Sequence, residues 1–433
     1  FAFRNHKDKL LFGTLIYSFF GAFIHRYLPE FPFGTVVDLS IFILILTHLF
    51  SHKNPLESKS FLSHPIVIAL TGWLALTTLE LLNPYGVNNS AWIVANRSLG
   101  FYPVVFVLLA TIILYQNGKR IQVFINIWGT LTILCALWGL KQSYFGLTTA
   151  EQAWLDAGAA DTHLLFGELR CFSLLSDAAQ FGAAQAHSAL VFGLLACSSS
   201  IAAGKRKFYL TAAVFAFLGL LVSGTRGAFF ILIVGFSVYT ILSGRWKIIL
   251  AGIIALATIY AILNYTNIGD SFYAMRRLRT AFNTGDPSLV IRLERIESLK
   301  VFMADKPFGF GIGTSGLVGQ KYYPNGPEIL KWTDGHYINI WMQMGIFGLI
   351  SKILVYLSII IFSCIRILKM RLSNDRNIAT ILLCGFCGFI VSDFTNDHTT
   401  QLPTSIILPT TLGIIALLTR NHRNNHSAYF PDK

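Results

Sequence analysis

Apolar residues along this chain come in long unbroken stretches, without the two-residue alternation of strands and without the single apolar stripe of a soluble helix. A helix needs about 17–25 predominantly apolar residues to cross the hydrocarbon layer of a membrane. About twelve stretches qualify, near 10–25, 33–50, 64–82, 99–115, 121–140, 177–202, 207–223, 227–242, 247–264, 337–365, 377–393 and 402–419. The pattern predicts an all-α fold: a polytopic membrane protein of about twelve transmembrane helices with a large, partly helical loop on one side.

Two segments break the rhythm of short connections, near 142–176 and 265–335. Long loops in compact proteins usually carry function. The chain therefore divides into spans one to nine over 1–264, with the smaller loop near 142–176, the large loop over 265–335, spans ten to twelve over 336–420, and a tail over 421–433. Inside the large loop Asp286 and Pro287 read as the cap and first position of a helix. Leu289, Leu293, Ile296, Leu299 and Met303 then form one apolar stripe at spacings of four and three. Arg292 and Arg295 share a flank of that helix. Pro307 ends it, and Phe308–Gly313 is expected to form a flexible turn leading towards Asp334-Gly335-His336.

Composition narrows the class. With 54% hydrophobic residues, 13% charged residues and a mean hydropathy of +0.58, the chain is unlike a soluble protein. Its net charge of +13 follows the positive-inside pattern. If the N-terminus is cytoplasmic, the inside loops hold Lys53 and Lys59, Lys119 and Arg120, Lys205 to Lys207, Arg245 and Lys247, then Arg366 to Arg376. The short outside loops hold only Arg26, Arg97, Lys141, Arg170 and Arg226. Both termini are thus expected in the cytoplasm, with an even number of spans, and the basic balance needs no nucleic-acid partner. The first stretch lacks a small-residue cleavage site and reads as a retained span. Five cysteines fall in spans and Cys171 stands alone outside, so a disulfide framework is not expected.

Candidate chemistry gathers on the outside face. Arg226 sits in Ser223-Gly224-Thr225-Arg226-Gly227 between two spans, where a guanidinium offers a planar fork of donors to the oxygens of a lipid diphosphate. Arg292 and Arg295 add positive charge from the large loop. His336 opens the tenth span, where its imidazole can take a proton from a hydroxyl nucleophile while Asp334 orients it. No D-x-D pair or histidine cluster has the spacing of a metal site, so neither metal nor cofactor is expected. Lys352, Asp38, Glu80 and Asp393 are the main charges inside spans, with Lys352 expected to reach towards the cytoplasmic surface.

The order of Ser223–Gly227, Arg292, Lys306-Pro307-Phe308-Gly309-Phe310-Gly311-Ile312-Gly313, and His336 followed by Asn339, Trp341 and Gly345 resembles the O-antigen ligase and polymerase superfamily of bacterial envelope glycosyltransferases. The resemblance implies a helical membrane protein with a cavity roofed by the long loop. It implies transfer of a glycan from a polyprenyl-diphosphate carrier, undecaprenyl in a bacterium, to a lipid A-core acceptor hydroxyl without a metal. Arg226 and Arg292 would hold the departing diphosphate, and His336 would position or deprotonate the acceptor. Arg295, Asp334, Arg170, Arg97, Asn339 and Gln180 complete the expected substrate-binding set. Tyr337 and Ile338 separate His336 from Asn339, where ligases often have histidine directly followed by asparagine. The resemblance places the protein in the bacterial inner membrane with its site facing the periplasm, among membrane lipids. A repeat-unit polymerase, a protein O-glycosyltransferase and a lipid-linked glycan flippase are the rivals. Neither Arg170 nor Arg292 has the glycine spacing of the polymerase pattern, which favours the ligase.

Overall fold

The structure is a computed structural model that describes residues 7–49, 61–115, 118–165, 167–198, 201–244, 287–331, 335–371 and 373–421, with five isolated positions between 258 and 279. Nearly all of the predicted ninth span, Asp286, Asp334 and most of the tail lie outside the described residues. Apart from one antiparallel pair, Leu164–Leu165 with Glu168–Leu169, the regular structure described is helical. Among the described residues, seven helices are long and apolar enough to cross a membrane: Pro65–Leu82, Asn89–Leu114, Gly118–Phe145, Ala203–Ser223, Arg226–Ser243, His336–Lys369 and Asn374–Ser392. Phe33–Thr47 and Thr404–Arg420 are apolar but shorter. The predicted first and sixth stretches are the helices Lys7–Tyr27 and Ala178–Cys197.

Helix boundaries follow local chemistry. Asp177 caps the 178–197 helix by accepting from the Gln180 amide at 2.8 Å. Gly224 (φ +59°) and Gly244 (φ +64°) end the helices before them in the left-handed conformation that glycine adopts without strain. The 178–197 helix packs against Ala203–Ser223, Phe229–Ser243 and Asn374–Ser392. Small residues permit the approach: a Cβ on Gly235 would lie 2.1 Å from Leu190, and one on Gly388 would lie 2.5 Å from the Ile231 carbonyl. Cys384 and Cys387 are buried in this packing, and all six cysteines are free thiols.

The tenth span departs from expectation. Helical hydrogen bonding runs over His336–Lys369, yet Gly345 has φ +65° and ψ −168°. The His336 and Tyr356 rings nonetheless lie 6.5 Å apart, although 20 residues separate them. In a straight helix they would be about 30 Å apart. The segment is therefore a hairpin, in which a short arm, His336–Met344, folds back at Gly345 along the long helix that ends at Lys369. Only glycine adopts that backbone readily, and a Cβ there would lie 2.0 Å from the Pro307 carbonyl oxygen.

The glycine run beside that tip is a close-packed turn, which corrects the expectation of a flexible one. Gly309, Gly311 and Gly313 have φ of +74°, +87° and +93°. A Cβ on each would meet backbone of Gln343, Gly86 and Ala91 at 2.5, 2.7 and 2.7 Å. The Phe310 and Gly311 amides donate to the Met342 and Gln343 carbonyls at 2.9 and 2.8 Å, which satisfies acceptors left at the end of the arm. Leu299 of the preceding helix, Pro287–Phe302, and Met303 just after it are buried against Phe310, Leu330, Ile338 and Met342. Leu293 of the predicted stripe is 53% exposed.

The smaller loop is fastened differently. Arg26, at the end of the first helix, inserts its guanidinium 4.7 Å from the Trp154 ring and 4.4 Å from the Phe172 ring. It donates to the carbonyls of Ser173 and Leu175. Glu151 is fully buried and accepts from Trp138, Gln142 and the Thr148 amide at 2.8, 2.7 and 2.8 Å.

Candidate functional site

The chain between Ser392 and Gln401 joins the last two described helices, and three distant segments meet on it. Gly227 comes first: the Ser392 hydroxyl donates to its carbonyl at 3.1 Å. A Cβ on Gly227 would lie 2.3 Å from the Thr395 hydroxyl, so glycine is what lets the Arg226 turn sit this close. Arg226 is half-buried at the first position of that turn, just beyond the left-handed Gly224. From the 287–302 helix Arg292 donates to the Thr395 carbonyl at 3.3 Å. Its Nε is buried with no partner among the described residues. From the hairpin the His336 amide donates to the Asp393 carbonyl at 2.9 Å. Gly335, at φ +71°, brings the arm so near that a Cβ would lie 2.7 Å from the Phe394 carbonyl oxygen.

The His336 side chain completes the junction. Its Nδ1 is 3.0 Å from an Asp397 carboxylate oxygen, and Asn339 donates to the other oxygen at 3.4 Å. A carboxylate in that place fixes the ring's orientation and tautomer, with Nδ1–H as donor. Nε2 faces the Tyr356 hydroxyl at 3.4 Å. The imidazole is 1% exposed, whereas the Asp397 side chain is 20% exposed, so the carboxylate is the accessible face of the pair.

Electrostatics separates the two loop carboxyls. Burial works to raise the pKa of Asp397, but the neighbouring His336 and the hydrogen bonds from His336, Thr400 and Asn339 outweigh it and hold the pKa at about 2. Asp393 is pushed up to about 7, chiefly by burial and further by the charge of Asp397. It accepts from the Thr399 hydroxyl at 2.7 Å and the His398 amide at 3.2 Å. His398 is fully buried and pushed down to about 4, so it is neutral at ordinary pH. Two carboxyls four residues apart thus differ because hydrogen bonds from His336, Thr400 and Asn339 hold Asp397 down, whereas burial dominates at Asp393.

The remaining expected site residues divide. Arg170 lies beside the Arg226 turn, donating to the Thr225 hydroxyl at 3.2 Å and the Thr162 carbonyl at 3.0 Å. Arg295 is half-buried one turn along from Arg292. Gln180 is fully buried in the bundle, where its amide donates to Thr404 at 2.7 Å next to the same connection. Arg97 is placed elsewhere, in an ion pair with Asp38 at 3.2 Å alongside a 2.7 Å bond from Tyr102 to Asp38. Asp334, expected to orient His336, lies outside the described residues, and the carboxylate observed on the imidazole is Asp397. Lys352, expected to reach the surface, is 3% exposed, its ammonium 4.4 Å from the Trp73 ring and 4.7 Å from the Tyr356 ring. Among the described residues no group of three or more histidine, cysteine, aspartate or glutamate side chains is arranged to hold a metal ion.

Asp393, Thr395, Asp397 and Tyr356 were not singled out as site residues by the sequence reading. The signal available was Asp397-His398, an acid beside a base in a short connection between two apolar stretches. No curated protein matches the chain. Residues 211–353, which hold the Arg226 turn, Arg292, the glycine turn and the His336 hairpin, match the O-Antigen ligase family, and over that segment the chain carries the resemblance to the O-antigen ligase superfamily that its motifs suggest.

Proposed function

We infer that the protein is a membrane glycosyltransferase of the ligase type, moving a glycan from a polyprenyl-diphosphate carrier to a lipid A-core hydroxyl at the periplasmic face of the bacterial inner membrane. The observation that carries this reading is the meeting of the Gly227 turn, Arg292 and the His336–Asp397 pair on one connection. The expected twelve spans, with both termini in the cytoplasm, put that connection on the outer side.

In this scheme the acceptor oxygen bonds to the anomeric carbon while the bond from that carbon to the diphosphate oxygen breaks. Charge builds on the departing diphosphate, where Arg226 and Arg292 stabilise it more in the transition state than before. The acceptor hydroxyl's proton passes to the His336–Asp397 pair through the accessible carboxylate. His336 then acts as a positioning residue, since its ring is shielded by Tyr356.

The test is conversion of a purified lipid-diphosphate glycan in detergent. Arg226→Ala and Arg292→Ala should each lower turnover by about 10²–10³-fold, the typical cost of one donor to developing negative charge. Turnover equal to that of a Lys300→Ala control in either variant would defeat the reading. Unligated long chains on the carrier in a deletion strain distinguish the ligase from a polymerase, which would leave a single repeat on the acceptor, and glycan on secreted proteins identifies a protein O-glycosyltransferase. The broken helix at Gly345 and the buried Lys352 also suit a transporter of the same lipid. Conversion without ATP in detergent excludes pure transport.

A further inference from the structure

A lysine inside an apolar helix is costly to bury unless its charge has a task. Lys352 has no carboxylate within ion-pair distance among the described residues. Its ammonium lies on the faces of Trp73 and Tyr356 at 4.4 and 4.7 Å. Trp73 is itself fully buried and anchored by its indole N–H to the Leu99 carbonyl at 2.9 Å, so the lysine is walled in. A cation–π contact offsets only part of the desolvation of an ammonium. The same Tyr356 ring carries the hydroxyl that faces His336 Nε2 at 3.4 Å, and His336 Nδ1 meets Asp397 at 3.0 Å. Lys352, Tyr356, His336 and Asp397 thus form one continuous line from the middle of the hairpin's long helix to the accessible carboxylate. The negative charges that act on Lys352 come from Asp393 and Asp397.

We propose that Lys352 is a positioning residue, the fixed cation that makes the Tyr356 hydroxyl a donor to His336 Nε2 and so keeps the imidazole neutral, with its one proton on Nδ1 directed at Asp397. This rests on the glycosyltransferase reading of the same site. A positive charge on the ring face withdraws electron density from the phenol and strengthens its O–H as a donor. It also balances the two carboxyls of the connection. Arg292 reaches the same connection at the Thr395 carbonyl, but the group that meets Asp397 directly is His336; without Lys352 it would take up a proton and turn Nε2 into a donor. The charged and titratable groups around the imidazole are Tyr337, Lys352 and Tyr356 on the hairpin, and Asp393, Asp397 and His398 on the connection. Trp73, from the Pro65–Leu79 helix, adds no charge.

The experiment is the pH dependence of kcat and KM for glycan transfer by the full-length protein in detergent. Lys352→Met should lower kcat about tenfold near neutral pH while leaving the donor KM unchanged, with the acidic limb of the profile moved to higher pH by about one unit. Lys352→Arg, which keeps the cation, should keep the limb at its wild-type position. A wild-type pH profile in Lys352→Met, whatever the loss of rate or melting temperature, overturns the proposal. If Lys352→Met does not fold, Tyr356→Phe removes the hydroxyl with little change in volume and should displace the same limb; an unchanged limb there also overturns it. Arg226→Ala and Arg292→Ala in the same assay separate the two ideas. If they retain turnover, the site itself has been misread, and if they lose it while the Lys352→Met limb stays in place, only the role of Lys352 fails.

Discussion

The two long connections, 142–176 and 287–331, reach neighbouring parts of the bundle but are fastened by opposite means. In the first, ionic and polar groups satisfy one another locally. Arg26 is stacked between rings and donates to carbonyls, and Glu151 accepts from three donors. In the second, backbone meets backbone at positive-φ glycines, and Arg292 makes one long contact with the Thr395 carbonyl while its Nε has no partner among the described residues. A buried charge whose bonds are all filled by its own loop is a fixture. A guanidinium with one long contact and a buried Nε–H left over keeps donor capacity that its own loop does not fill. The first connection is therefore a brace and the second a carrier of charge.

That contrast can be broken experimentally. The largest effect is expected from Glu151→Ala, which leaves three donors, buried Gln142 among them, without an acceptor and should cost about 3 kcal/mol of stability, seen as a fall in melting temperature. Turnover per folded molecule should stay at the wild-type level. A matching fall in specific activity would mean that the smaller loop also serves the site. Gly311→Ala comes next. Its Cβ would press within 2.7 Å of Gly86 at a φ of +87°, for a cost of about 1–3 kcal/mol, and because the turn holds the hairpin tip, activity should fall with stability.

A subtler expectation concerns pH. Asp393 binds its proton more tightly in the folded protein, with a pKa of about 7, than an unfolded aspartate does. Between about pH 4 and 7 the folded state holds the extra proton, so stability declines as pH rises through that window. Asp393→Asn should flatten that slope, measured as melting temperature against pH, and an unaltered slope would place its origin elsewhere. The smallest effect belongs to Arg97→Gln. Its ion pair with Asp38 is 32% and 42% exposed at the two side chains, so its loss should cost no more than about 1 kcal/mol, and turnover should be unchanged.

Much of the architecture was legible because apolar length and glycine or proline punctuation act locally. The helices over 203–223 and 229–243 fall within a few residues of the stretches read from hydropathy. The hairpin was not legible, because hydropathy sums over a window and cannot tell a straight 34-residue helix from one reversed at Gly345. Lys352 was misplaced for the same reason: in a straight helix it lies far from His336, and the fold-back brings it onto the ring that contacts His336. Arg226, Arg292 and His336, singled out from residue chemistry and motif order, lie on segments that the fold brings to the 392–401 connection. Asp397 was not singled out, since its role depends on a contact across 61 residues that no local spacing encodes. Arg97 looked like Arg170 in sequence, and only the position of Asp38 tells them apart.

The fold-back also sets an order of assembly. The arm's backbone amide and imidazole find their acceptors on Asp393 and Asp397, beyond the 374–392 helix. A nascent chain halted before those residues emerge has made the arginine turn and the histidine arm but cannot seat them. The 374–392 helix must therefore be in place before the arginine turn and the histidine arm can be held together.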